Sequence, residues 1–320
     1  MKLEKLRTLT KKLRSFNPAN YITQKTNLID NFFHTQKLDS CVIGISGGID
    51  SAVTLSLLKY TVDMYSFDTS ALYGLQKILP LIMPIKGDGT SGQDEATNLA
   101  IKQCEVLKLE YKIVNLTAAY EEYLIASQTK GSNPPKWEAP FYGPNPRQSW
   151  ANGQLASILR TPCSYYHAAL LQIQGYKSIV VGTTNRDEGS YIGFYGKASD
   201  GMVDLQPIAD IHKSEVYAIA KALGVIPEII ERAPRGDVWD NKTDEEMIGA
   251  PYWFLEMYLL VQEFQLEPLV CELEESELNF YRNYESQIMK LHFANEHKYQ
   301  VGQPSHFIDL MSRKVPGGWQ

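Results

Sequence analysis

The chain has 320 residues, 44% of them hydrophobic and 21% charged, with a formal net charge of −6. That content builds a substantial core at the upper edge of what one domain holds, and ordinary glycine and proline usage excludes a fibrous or disordered chain. The acidic balance argues against a long nucleic-acid groove, which carries a basic excess; it leaves room for a small nucleotide held by backbone N–H groups, a metal and a few local cations.

Residues 1–37 read as a helical extension, with Ile22, Leu28, Ile29 and Phe32 at helical spacing between Tyr21 and Thr35. Cys41 to Ile45 is a short continuous apolar run, the pattern of a strand buried on both faces of a parallel sheet. A glycine loop follows, and then a helix from Ala52 to Tyr60. The pattern repeats: strand Leu79–Ile85, a Gly-rich turn, helix Asp94–Leu107, strand Tyr111–Leu116, helix Ala118–Ser127 and, later, strand Ser178–Val181. Strands alternating with helices predict an α/β fold, a doubly wound parallel sheet flanked by helices. Right-handed crossovers bring the loops that follow the strands to one edge, where ligands bind.

Residues 128–152, rich in Gly, Pro, Asn and aromatics, read as an irregular insertion, either a lid or interface arm or a plain surface loop. Residues 251–320 read as a helical C-terminal region of the same single domain, 1–320. Four cysteines form no CxxC pair and suit a reducing compartment. Residues 1–16 lack the apolar centre of a secretory signal, and no stretch reaches the ~20 apolar residues of a membrane span. The expectation is a cytoplasmic protein with no membrane and no nucleic-acid partner.

The chemistry concentrates in Ser46-Gly47-Gly48-Ile49-Asp50-Ser51. Glycines let the backbone approach closely. Successive N–H groups and a helix N-terminus make an anion nest, to which Ser46 and Ser51 add hydroxyls. A carboxylate beside a phosphate repels it unless a cation intervenes, so Asp50 implies Mg²⁺. The loop has neither the lysine of GxxxxGK[ST] nor the spacing of GxGxxG.

This loop resembles that of the N-type ATP pyrophosphatases, which share an adenine nucleotide α-hydrolase-like fold. Within that superfamily the chain resembles the NAD synthetases from about Ile22 to Phe307. The most specific block is Val180-Val181-Gly182-Thr183-Thr184-Asn185-Arg186-Asp187-Glu188, continued by Gly193-Phe194-Tyr195-Gly196-Lys197, Val203-Asp204-Leu205 and Lys213-Ser214-Glu215-Val216. The resemblance implies ATP-dependent amidation of nicotinic acid adenine dinucleotide with ammonia through an acyl-adenylate, releasing AMP and pyrophosphate. It implies ATP contacts at Gly44, Ser46, Gly47, Gly48, Asp50, Ser51, Arg160, Thr183, Lys213 and Arg235. Asp50 and Glu188 would hold magnesium, and Asp50, Glu188, Asp200 and Lys213 would carry catalysis. Phe194, Lys197, Asp200, Asp204, His297 and Lys298 would meet the acid substrate.

Family members are usually homodimers, and those that use glutamine carry a large amidase domain before the synthetase. The residues preceding Ser46 are too few to build one, so free ammonia is the expected nitrogen source, with a separate glutaminase left open as a partner. The chain departs from the family at Pro234-Arg235-Gly236-Asp237, at Thr161-Pro162 and at Ala198-Ser199. These departures fall more on the substrate side than on the Asp50–Glu188 pair. Nicotinic acid mononucleotide, or another carboxylate, therefore stays open as the substrate. A nucleotide-binding module without catalysis is the reading from another class.

Overall fold

The structure is a computed structural model that describes residues 2–65, 74–86, 93–127, 146–233, 243–298 and 306–307, with backbone only at 146–149 and 306–307. The elements are α1 (Leu3–Arg14), α2 (Pro18–Thr35), β1 (Ser40–Gly44), α3 (Ile49–Tyr65), β2 (Lys77–Ile82), α4 (Gln93–Val106), β3 (Lys112–Ile113), α5 (Thr117–Ser127), α6 (Pro146–Ile173) and β4 (Ser178–Val181). A π-helical turn (Asp187–Tyr191) follows, then β5 (Leu205–Gln206), α7 (Lys213–Ala222), α8 (Pro227–Glu231), α9 (Asp244–Ile248), α10 (Tyr252–Glu263), α11 (Glu267–Val270) and α12 (Glu275–Asn295). A 3₁₀ turn (Glu296–Lys298) and β6 (His306–Phe307) complete the order.

The six strands pair in parallel in the order β3-β2-β1-β4-β5-β6. This is the doubly wound arrangement the sequence predicts. The order reverses between β1 and β4, which lie side by side with Val42 opposite Val180. A ligand crevice opens at such a reversal, beyond the carboxyl ends of the strands. The loop after β1 carries Ser46 and the loop after β4 carries Thr183, so topology alone brings the two motifs to one place.

Most of α3 is buried, from Ile49 through Leu58. It packs between the sheet and α2, α7 and α8, while α6 covers the other face of β1 and β4. A second apolar cluster joins α1, α10 and α12 around Leu6, Phe254, Tyr258, Tyr281 and Ile288. Helix α2 starts earlier than its apolar pattern indicates, because Asn17 accepts from Asn20 N–H at 3.0 Å and Pro18 opens the first turn. Residues 146–152, predicted as irregular, form the first turns of α6. Proline is tolerated at a helix start, so the composition that suggested a loop misplaced this boundary. Helix α6 also runs through Pro162.

A buried ionic cluster ties the N-terminal helices to the start of α7. Arg14 donates to both oxygens of Glu215, at 2.7 and 2.9 Å, and to the Asp210 carbonyl at 2.9 Å. The Asp210 carboxylate accepts from Lys25 at 2.9 Å and Tyr21 at 2.7 Å. Buried charges survive only when paired and hydrogen-bonded like this. The functional consequence is placement: the cluster brackets the first turn of α7, and Lys213 is its first residue.

Candidate active site

The loop between β1 and α3 is held by its own hydroxyls. Ser46 Oγ accepts from Gly48 N–H at 3.2 Å, and Ser51 Oγ donates to the Gly48 carbonyl at 3.0 Å. The two hydroxyls lie 3.2 Å apart. Gly47 has φ +78°, and a Cβ there would sit 2.2 Å from the Ala96 carbonyl oxygen. The loop therefore needs glycine twice over, for its dihedral and for space. Gly47→Ala is expected to destabilise the fold by more than about 1 kcal/mol and to weaken ATP binding at least about tenfold. Thermal unfolding and a nucleotide titration check this; an unchanged midpoint and affinity would contradict it.

Asp50 lies in the first turn of α3, and its carboxylate points at the loop after β4. Asn185 Nδ2 donates to one oxygen at 3.0 Å, and the Lys213 ammonium donates to the other at 2.5 Å. The same ammonium reaches Glu188 Oε1 at 2.9 Å, and Tyr252 donates to that oxygen at 2.6 Å. Lys213 also sits 5.0 Å over the Tyr252 ring, a cation–π contact. Three elements thus converge: α3 brings Asp50, the π turn brings Glu188, and α7 brings Lys213.

Burial alone would lower the Lys213 pKa, but Asp50 and Glu188 outweigh it and raise it above the ordinary lysine value. Burial pushes Asp50 up, against the pull of Lys213, and Glu188 nearby adds to the rise. Burial acts on Glu188 in the same sense, but Lys213 and the Tyr252 hydroxyl outweigh it and hold the group below the usual range.

A buried pair sets this geometry from behind. Asp187 accepts from His212 Nδ1–H at 2.6 Å and from Lys213 N–H at 2.7 Å. Burial raises Asp187 to about 7. Burial, helped by Arg186, lowers His212 to about 3. Burial thus favours the neutral imidazole, and Nε2 has no hydrogen-bond partner among the described residues. Asp187 and His212 precede Glu188 and Lys213 respectively, so this pair fixes the approach of their neighbours.

Two adjoining cavities open here. The smaller, about 180 Å³, is lined by Gly44, Ser46, Gln93, Arg160 and Thr183 among others. The larger, about 430 Å³, takes in Gly48, Asp50, Glu188, Phe194, Lys213 and Lys298. Ser46, Arg160, Thr183 and Asp200 line both, and Ser51 lines the larger. Arg160 donates to the Met83 carbonyl at 3.2 Å.

Several candidates fall elsewhere. The Asp204 carboxylate accepts from Val180 N–H at 2.8 Å and Tyr165 OH at 3.1 Å, and it lines neither cavity. It staples β5 to β4 and α6. Lys197 and His297 line neither cavity, and Lys197 donates to the His297 carbonyl at 3.2 Å. Arg235 lies outside the described residues. Thr161, at one of the departures from the family pattern, donates to the Ala198 carbonyl at 2.9 Å.

Sequence reading assigned no role to Asn185, Tyr252, Gln93 or Gln206. Gln206 accepts from Thr184 N–H at 3.1 Å and donates to the Asp200 carbonyl at 2.8 Å, joining the loop after β4 to the segment before β5. The buried Gln93 amide nitrogen has no partner among the described residues and sits on the smaller cavity wall. Asn185 lies inside the block that carried the resemblance, which was the signal for it. Tyr252 had none.

The donor set around Lys213 suits a hard divalent cation. Two carboxylates already share one cationic partner beside an anion nest, and Mg²⁺ is commonly held by one or two carboxylates plus substrate phosphates. No group of three or more His, Cys, Asp or Glu that could hold a metal exists among the described residues, so phosphate oxygens would complete such a site.

The fold is the α/β architecture shared by the N-type ATP pyrophosphatases, with a glycine loop at the sheet's switch point. The sequence profile of the NAD synthase family matches residues 21–302, and the chain belongs to that family. It is 30% identical over 236 residues to the NH(3)-dependent NAD(+) synthetase of Methanococcoides burtonii, covering 72% of this chain and 76% of that one. It is 33% identical over 213 residues to the enzyme of the same name from Thermoplasma volcanium, covering 66% and 72%. Among solved structures, the NMN synthetase of Francisella tularensis superposes with a TM-score of 0.66 at 25% identity, over 90% of this chain and 98% of that one.

Proposed function

We propose that this protein amidates the carboxylate of nicotinic acid adenine dinucleotide with ammonia, consuming ATP and releasing AMP and pyrophosphate. The observation that carries this reading is the convergence of Asp50, Glu188 and Lys213 on one wall of a cavity that begins at the Ser46–Ser51 nest. The nest N–H groups and the α3 N-terminus bind the phosphates that depart. Lys213 turns from the carboxylates to the phosphate chain. Magnesium held by Asp50 and Glu188 would supply the charge that lets Lys213 do so and would stabilise pyrophosphate as leaving group.

A substrate carboxylate oxygen attacks the α-phosphorus, and the bond from that phosphorus to pyrophosphate breaks. Ammonia then attacks the acyl carbon of the adenylate, AMP leaves with the C–O electron pair, and the surplus proton passes to a base. Asp200, on the wall shared by both cavities, is placed to take it. The smaller cavity suits the adenine and ribose of ATP, with Gln93 and Thr183 on its wall. The larger suits the acid, against Phe194. No nucleophilic side chain is needed.

Residues 1–320 act in this reading as one catalytic unit, and we place it in the cytoplasm. The four free cysteines suit that compartment, and no helix among the described residues is long and apolar enough to cross a membrane. A homodimer is also part of the reading. Helix α6 exposes Ile158, Pro162, Tyr166, Ala169 and Ile173 at helical spacing, Tyr166 at 62% and Ile173 at 82%. Such a stripe is the kind of face a second copy covers. Sizing by light scattering is expected to give a dimer, and Tyr166→Glu a monomer; a monomer before the substitution counts against the assembly.

The deciding experiment is an AMP-release assay with the dinucleotide acid and the mononucleotide acid side by side, each with ammonia and with glutamine. Turnover of the dinucleotide acid with ammonia is expected to dominate. Preference for the mononucleotide would reassign the substrate, and AMP from neither acid would sink the reading.

A further inference from the structure

The segment after Glu188 is unusual in its backbone. The π-helical turn Asp187–Tyr191 runs into an irregular stretch through Tyr195. Wide π turns recur at functional sites, and carbonyls at a helix end need partners from outside the helix. Here α12 supplies them as side chains. His292 Nδ1–H donates to the Tyr191 carbonyl at 2.7 Å, and Asn295 Nδ2 donates to the Ile192 carbonyl at 2.7 Å. Lys298 Nζ donates to the Gly193 carbonyl at 2.7 Å and the Tyr195 carbonyl at 2.6 Å. The donors recur every third residue, so they lie on one face of α12 and of the 3₁₀ turn that ends it.

Ring contacts reinforce the ladder. The His292 ring stacks on Tyr191 at 4.1 Å with planes 9° apart. The Lys298 ammonium lies 5.3 Å over the Tyr195 ring. Two of the three N–H bonds of Lys298 are therefore spent on backbone. The residues so held are Gly193, Phe194 and Tyr195, and all three line the larger cavity. Glu188, at the other end of the π turn, accepts Phe194 N–H at its carbonyl at 2.8 Å.

We propose that His292, Asn295 and Lys298 are positioning residues: as one ladder they seat the Gly193–Tyr195 wall against which the acid substrate is held. The inference rests on the larger cavity being the acid subsite. It differs from direct contact with substrate, because Asn295 and Lys298, although they also line the larger cavity, spend donors on backbone carbonyls of the wall. A loosened wall costs acid binding and orientation, while the nest and the smaller cavity keep their ATP contacts.

The test is steady-state kinetics of Asn295→Leu, Lys298→Met and Lys298→Arg, with acid and ATP varied separately. Asn295→Leu and Lys298→Met are each expected to raise KM for the acid about 10- to 100-fold while KM for ATP stays within about twofold, by analogy with the loss of one or two well-placed hydrogen bonds. Lys298→Arg keeps donors at that reach and is expected to recover most of the loss. Isothermal titration of the acid, without ATP, should show the same order of affinities. An unchanged acid KM in Asn295→Leu overturns the ladder. Equal rises in both KM values with a lowered melting temperature overturn it too, since that is a general structural role. No AMP release by the unsubstituted protein would instead strike the proposed activity, a separate and visible outcome.

Discussion

Asp50→Asn and Glu188→Gln are each expected to lower the rate of AMP release about 10³-fold, which is about 4 kcal/mol of transition-state stabilisation. Both substitutions are nearly isosteric, so the fold should survive. The Asn185 amide donates to one Asp50 oxygen, and an asparagine at position 50 can still accept there. Its own amide group then faces the Lys213 ammonium, donor against donor. Tyr252 can likewise still donate to a glutamine oxygen at position 188, but the negative charge is gone. On the proposed reading, each variant loses the charge that would hold a cation against the departing pyrophosphate. The effect should fall on kcat more than on KM for ATP, because the nest N–H groups remain. The measurement is AMP release at saturating ATP, with melting temperature as control; a loss under tenfold at unchanged stability would remove that carboxylate from the chemistry.

The parts of this site that sequence reveals are those written locally. The apolar run Cys41–Ile45 announces a buried parallel strand, and the structure pairs it on both sides. The glycine loop announces a nest, and Gly47 adopts the positive φ that makes one. Glu188 follows a strand end, so its place at the same edge as Asp50 follows from topology. Long-range partners leave no such trace. Lys213 lies 163 residues from Asp50, and only a family resemblance linked them. Tyr252 sits in an apolar helical run and reads as core; its ring is core, while its hydroxyl reaches Glu188. Arg14 and Lys25 are buried against Glu215 and Asp210, carboxylates from distant segments that no local pattern announces. Asp204, which the resemblance alone brought forward, has its bonds to Val180 and Tyr165. Composition misled at 146–152 because prolines and aromatics that end one element can also open the next.

Lys213→Met is expected to destabilise the protein by about 2–4 kcal/mol at neutral pH, below the full penalty for unpairing a deeply buried ion pair. Met matches the length of the lysine stem and keeps the packing over Tyr252, so the loss is electrostatic. Two carboxylates with side chains 19% and 16% exposed are left facing each other without a cation. Their remaining donors, Asn185 and Tyr252, are neutral. Burial and mutual repulsion then raise the folded-state pKa of both groups above the unfolded value, about 4. A raised pKa contributes stability that is fully present below the unfolded pKa and lost as pH rises through the folded one. The deficit of Lys213→Met should therefore be least near pH 4 and grow on going to pH 7 and beyond. In the unsubstituted protein the lysine stays charged across that range, because its own pKa is raised. Millimolar Mg²⁺ without nucleotide should then stabilise Lys213→Met more than the unsubstituted protein, since a ligand that binds only the folded state raises its stability by mass action and no ammonium competes for the two carboxylates. Urea titrations at pH 4.5 and 7.5, with and without Mg²⁺, read all three signs. A variant whose deficit is the same at both pH values and indifferent to Mg²⁺ would show that Lys213 is held by packing rather than by the charges of Asp50 and Glu188.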